Sequence, residues 1–197
     1  MVVSFLASHN GSSARAITEA IQAGKVPATG GCLISNNEQS VALQWAREYG
    51  LPTYHLSSRN HPDSTELDSA IYNALTAHNT SIVLLSGYMK KLGPATLTAF
   101  HQRILNVHPS LLPRYGGQGM YGDRVHEAVL AAGEKETGIT VHLVDEHYDH
   151  GKIVAQCRIP VISGDTVDSL RTRVQAREKG FYIEVLEGIV SGRYLLD

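Results

Sequence analysis

Apolar and polar positions follow two rhythms along this chain. In the first half, short apolar runs rich in β-branched residues fall at 2–7, 31–35, 53–56, 82–85 and 103–107, and they predict strands. Between them, stretches 14–23, 38–49, 64–78 and 94–100 carry helical spacing. Ala16, Ile17, Ala20 and Ile21 share one face of the first, and Gly50 with Pro52 ends the second. Regular alternation of strand and helix implies βαβ units and a parallel sheet covered by helices on both faces. The uninterrupted apolar run at 82–85 agrees, because a doubly covered strand has no polar face.

The second half changes rhythm. A loop at 109–122 leads to a helix at 123–132. Two strand-like runs follow, 138–144 and 153–160, joined by the turn-rich link DEHYDHGK as in a hairpin. Asp165 or Thr166 can then cap a long helix. Its apolar positions are Val167, Leu170, Val174, Phe181, Val185, Leu186 and Val190, and Gly192 can end it. The expected fold class is α/β: an open, mostly parallel twisted sheet with helices on both faces, Rossmann-like, with an antiparallel hairpin in the C-terminal part. No repeat, low-complexity stretch or linker interrupts it, so residues 1–197 are expected to form a single domain.

Composition narrows the function classes. The formal net charge is −2 with no basic block, which argues against nucleic acid as a partner. The start, MVVSFLASHNG, lacks the basic and apolar segments of a signal peptide, and no apolar run approaches the ~20 residues of a membrane helix. A cytoplasmic protein with no membrane partner is expected. Cys32 and Cys157 lie in apolar strand-like runs and are expected to be reduced and buried.

Candidate chemistry gathers at the carboxyl ends of the expected strands, where open α/β sheets bind ligands. Asn106 and His108 alternate along one strand, so both face the same side, ~6.6 Å apart, and Pro109 ends the ladder. An Asn amide and a protonated imidazole can both donate to a developing oxyanion; they can equally satisfy loop backbone. Asn10-Gly11-Ser12-Ser13 opens the first helix, where free amides suit a phosphate, although a plain turn with a serine N-cap fits as well. A third segment, VDEHYDHG at 144–151, could bring a carboxylate to His108, favouring its charged form and orienting the ring. His147 and His150 there read as a solvated turn rather than metal ligands, and no metal is expected. Without a nucleophile elbow or an activated cysteine, the residues point to a non-covalent site acting on a carbonyl group near a phosphate.

These motifs carry a resemblance. ILNVHPSLLPRYGG resembles the Asn-x-His-Pro-Ser-Leu-Leu-Pro signature of the folate-dependent formyltransferases. SHNGSS, ISN at 34–36, SGYMKKL at 86–92, GEKETGITVHLVDEHYDHGKIVAQCRIPV and RVQAREK fit the same family in order, over nearly the whole chain. The resemblance implies transfer of a formyl group from 10-formyltetrahydrofolate to the amine of glycinamide ribonucleotide, in purine synthesis. It implies Asn106, His108 and Asp149 as the catalytic trio, with protonated His108 and Asn106 on the formyl oxygen and Asp149 relaying the amine proton. It places Gly11, Ser12, Ser13 and Gln175 at the ribotide phosphate and Glu178 near the glycinamide end. It assigns Met89, Lys90, Leu92, Asn106 and the 144–149 loop, with Val144 and Asp145, to the folate. Arg59 is the only arginine in SSRNHPDSTELDSA, the segment from which the family often sends an arginine to the folate. Relatives directed to tRNA carry a further C-terminal domain and basic surface, and formyl-folate hydrolases carry an N-terminal domain. The extent and charge of this chain favour the ribotide acceptor. A binding protein with a dead site is the reading from another class. Either a monomer or a homodimer is compatible with the sequence.

Overall fold

The apolar runs of the first half become five parallel strands, because each has polar turns at its ends and apolar side chains for both faces. The computed structural model describes residues 1–196. In chain order the elements are β1 (Val2–Ala7), α1 (Ser12–Gln22), β2 (Thr29–Ser35), α2 (Val41–Glu48), β3 (Thr53–His55), α3 (Ser64–Ala77) and β4 (Ile82–Leu85). There follow α4 (Pro94–Ala99), β5 (Ile104–His108), α5 (Asp123–Ala131), β6 (Glu136–Leu143), β7 (Ile153–Pro160) and α6 (Val167–Val190). One seven-stranded sheet has the order β3-β2-β1-β4-β5-β6-β7. β1 to β5 pair in parallel, while β6 and β7 join antiparallel as a hairpin. The expected mostly parallel α/β sheet with a C-terminal hairpin is therefore what forms.

Helices cover both faces. One core packs Ile17 of α1, Leu43 of α2, and Tyr182 and Leu186 of α6 against the sheet. The other packs Ile71 and Leu75 of α3 with Phe100. The strand order reverses between β1 and β4, and at such a switch point the two following loops diverge and leave a crevice. The loops that leave β1 and β4 hold residues 8–11 and 86–93, so the turn that opens α1 and the SGYMKKL stretch flank this crevice.

Several boundaries differ from expectation for local reasons. α2 begins at Val41 rather than 38, because Ser40 Oγ accepts the Leu43 amide and caps the helix. Asn37 Oδ1 takes the Gln39 amide into a turn just upstream. α1 begins earlier than expected, at Ser12, and its N-cap is Gly11 rather than a serine. Gly11 has φ 60°, and a Cβ there would stand 2.8 Å from Ala42 Cβ, so both conformation and space require glycine. Thr166, not Asp165, caps α6. Asp165 instead binds Arg173 through both carboxylate oxygens. Cys157 corrects the expectation that both cysteines are buried: it lies on the edge strand β7 and is half-buried, while Cys32 is enclosed and burial pushes its thiol up to about 11. Among the described residues no helix is long and apolar enough to cross a membrane.

Candidate active site

Period-two alternation on β5 brings Asn106 and His108 to one face, while Val107 turns to the other and packs against the core. β5 reaches one residue further than expected, so His108 still pairs with Thr140 across the ladder. The loop after Pro109 is pinned to the sheet. Thr140 Oγ1 donates to Ser110 O (2.7 Å) and accepts from the Leu112 amide (3.1 Å), and Ser110 Oγ donates to Arg114 O (2.7 Å). His108 is 4% exposed, so its ring position is set by packing.

Asp149 arrives from the β6–β7 link. Its backbone has φ 60°, a left-handed conformation that aspartate tolerates better than most residues. Gly151 follows, where a Cβ would lie 1.8 Å from Leu143 O; the link closes this tightly only with glycine. The result places Asp149 Oδ2 3.5 Å from His108 Nδ1, with the Gly117 amide donating to the same oxygen at 2.9 Å. On the far side of the ring His108 Nε2 donates to Tyr115 O at 2.7 Å. The three residues expected to act together thus converge at the carboxyl end of β5.

A fourth residue joins them that the sequence did not single out. His142 pairs directly with Asn106 across the antiparallel ladder and is 2% exposed. Its Nε2 is 3.1 Å from Asn106 Nδ2 and 3.4 Å from Asp149 Oδ1, and its Nδ1 is 2.8 Å from Leu143 O. A lone imidazole inside the run TVHLV was the available signal, since a buried polar ring requires partners.

The electrostatics revise one expectation. Burial pulls His108 below its usual 6.5; Asp149 and the Tyr115 carbonyl push it up without overcoming that loss, and His142 adds to the lowering. The ring is therefore held toward its neutral form before substrate binds, not kept charged by Asp149. For Asp149, burial pushes upward, but the neighbouring imidazoles of His142 and His108 and the Gly117 amide together hold it below the usual carboxylate value. His126 on α5, 2% exposed and with no partner for Nδ1 among the described residues, is also lowered, first by burial. A ring with a depressed folded pKa stays neutral while the unfolded chain takes up a proton. Stability is thus fullest above the unfolded value near 6.5 and falls as pH drops below it. The urea midpoint is expected to be lower at acidic than at neutral pH, and His126→Gln to reduce that drop. An identical drop in the variant would contradict this.

The phosphate candidates sit at the start of α1. Among the described residues no acceptor takes the amides of Ser12 and Ser13, whereas Ser86 Oγ takes that of Ala14 (3.1 Å). Ser13 Oγ donates to Glu178 Oε1 on α6 at 3.1 Å. Burial pushes Glu178 up, opposed by the Ser13 bond and by Lys179. Gln175 is exposed one turn earlier on α6 and makes no side-chain hydrogen bond within the described residues. Lys90, Leu92, Val144 and Asp145 line a pocket of about 70 Å³ with Asn106, His142 and Asp149. Met89 lies outside that pocket, on an adjoining cleft of about 1080 Å³ that also holds Arg59, Lys90 and Lys91. Asp145 is a rim residue whose carboxylate takes the His147 amide (2.7 Å).

Comparison with known proteins gives consistent findings. The profile of the formyl transferase family matches residues 1–186. A phosphoribosylglycinamide formyltransferase of Haemophilus influenzae is 33% identical over 194 residues, covering 98% of this chain and 89% of that protein. The chloroplastic phosphoribosylglycinamide formyltransferase of Vigna unguiculata is 37% identical over 94% of this chain, which spans only 60% of that protein's length. The crystal structure of glycinamide ribonucleotide transformylase 1 from Symbiobacterium toebii superposes with a TM-score of 0.91 at 34% identity, covering 100% of this chain and 91% of that one.

Proposed function

This chain belongs to the formyl transferase family, and we propose that it moves the formyl group of 10-formyltetrahydrofolate directly to the amine of glycinamide ribonucleotide, a step of purine synthesis. The observation that carries the reading is the convergence of Asn106, His108 and Asp149 beside a pocket at the end of β5. We place this chemistry in the cytoplasm and in one unit, with the ribotide phosphate held by the N-terminal half and the folate by the C-terminal half.

In this mechanism the amine attacks the formyl carbon, a C–N bond forms, and negative charge builds on the formyl oxygen. An Asn106 N–H, half-buried at the end of β5, meets that charge, and a donor fixed in place there is worth more than one in bulk water. His108 starts neutral, and the oxyanion adds a second negative neighbour to Asp149, so the ring becomes a favoured proton site only as the charge develops. Collapse of the intermediate breaks the bond to the folate nitrogen N10. One proton moves overall from the amine to N10, and the Asp149 carboxylate takes it up first, through a water. Holding both substrates in register supplies much of the remaining rate. The Ser12 and Ser13 amides suit the ribotide phosphate and Glu178 the glycinamide end, with Gln175 near the phosphate. Met89, Lys90, Leu92, Val144 and Asp145 form the folate side.

Arg59, Lys90 and Lys91 share the cleft that continues from the pocket, and they suit the carboxylates of the folate tail. Arg59→Ala is expected to raise KM for the folate roughly threefold to tenfold, as loss of an exposed cation from a charged ligand does, and to leave kcat in place. A donor that lacks the glutamate should show no such difference between the two proteins. Equal KM values with the full donor would remove Arg59 from the folate site.

The function is tested with purified protein, 10-formyltetrahydrofolate and either the ribotide or water as acceptor. Folate release only with the ribotide supports the reading. Release at the same rate without it points to hydrolysis and overturns the reading.

A further inference from the structure

The arrangement around His142 determines which end of the Asn106 side chain meets the substrate. The Nδ1 of His142 lies 2.8 Å from the carbonyl of Leu143, an acceptor, so Nδ1 carries a hydrogen. In the neutral ring Nε2 is then a lone-pair acceptor. Asn106 Nδ2 stands 3.1 Å from it and donates. The geometry also fixes the reverse case. With a proton on Nε2, the ring would donate to Asp149 Oδ1 at 3.4 Å, and Asn106 would have to turn its oxygen toward His142. An oxygen on one side of the amide means the nitrogen on the other, so the state of one imidazole nitrogen sets the direction of the whole carboxamide.

We propose that His142 is a positioning residue. By accepting one N–H of Asn106, it holds the amide nitrogen over the pocket, with the second N–H aimed at the carbonyl oxygen that becomes negative. The inference rests on the proposed formyl transfer and specifies how its oxyanion donor is oriented. The sheet makes this possible. Asn106 and His142 are direct cross-strand partners, so neither side chain needs a loop to reach the other. Both line the pocket, whose other charged or titratable groups are Asp149, Asp145, Lys90, Lys91 and His147, with Tyr88 and Tyr148. A free amide would sample both directions and present its oxygen to the oxyanion part of the time, which repels it.

Two substitutions separate this role from simple support of the fold. Gln at 142 reaches the Nε2 position with an oxygen that can accept from Asn106. Asn at 142 reaches only the Nδ1 position, keeps the bond to Leu143 O and leaves Asn106 without an acceptor. His142→Asn is expected to lower kcat roughly tenfold to a hundredfold, as misplacement of a reacting group does, with KM for both substrates unchanged. His142→Gln should recover most of that loss. In an Asn106→Ala background, His142→Asn should cost nothing further, because its effect passes through Asn106. Should His142→Asn fold poorly, His142→Leu removes the same acceptor. Equal losses in the Gln and Asn variants, a change in KM alone, or a further drop in the Asn106→Ala background would each overturn the proposal. If the wild-type protein transfers no formyl group, the functional reading fails, and the positioning is read instead by NMR of the Asn106 side-chain amide. One of its protons should sit downfield in wild type and His142→Gln and return in His142→Asn; identical spectra in all three overturn it.

Discussion

Asp149→Asn is expected to lower kcat by roughly a thousandfold, within the ten-squared to ten-fourth range of a positioned general base, while KM for both substrates changes little. The substitution removes a carboxylate that combines a depressed pKa with a direct approach to His108. It removes the proposed first proton acceptor for the attacking amine and also the negative charge that opposes the burial of His108, so the ring would become harder still to protonate. The fold should survive. Asparagine tolerates the φ of 60° at this position and its side-chain oxygen can still accept from the Gly117 amide. Steady-state kinetics with both substrates and a urea titration check this. A loss under tenfold with an unchanged urea midpoint would take Asp149 out of the proton path.

Asn106→Ala carries the second large effect. Removing one oxyanion donor costs roughly a hundredfold to a thousandfold in kcat, about 3–4 kcal/mol at the transition state. Here the proposed donor is half-buried at the end of a central strand, flanked by His108 on its own strand and His142 across the ladder. Water that fills the vacated space can replace the hydrogen bond but not its fixed direction. KM should hold, because the interaction strengthens only as the formyl oxygen becomes negative. Ribotide binding measured by calorimetry should match wild type, and folate binding should weaken far less than the rate falls. A rate within threefold of wild type would show that the oxyanion is served from elsewhere.

Much of this was legible in the chain because strands buried on both faces leave an unmistakable apolar run. Positions 2–7 and 82–85 became β1 and β4 without change. Boundaries moved where a single cap outweighed periodicity, as Ser40 did for α2 and Gly11 for α1. Asn106 and His108 were visible because two residues on one strand share a face by geometry alone. His142 was not, because it meets Asn106 across 36 residues of sequence through a strand register that periodicity does not specify. The charge of His108 was misjudged for a related reason. The nearby carboxylate can be read from the chain, but the depth of burial that outweighs it belongs to the packed structure.

The central claim is direct transfer between two bound substrates at the end of β5. The measurement that reaches it most directly uses folate labelled with ¹³C in the formyl group, excess unlabelled formate, and one turnover of enzyme with glycinamide ribonucleotide. All of the label should appear in the formamide carbon of the ribotide, undiluted, and none in formate. Label released into formate, or no labelled ribotide at all, would contradict it.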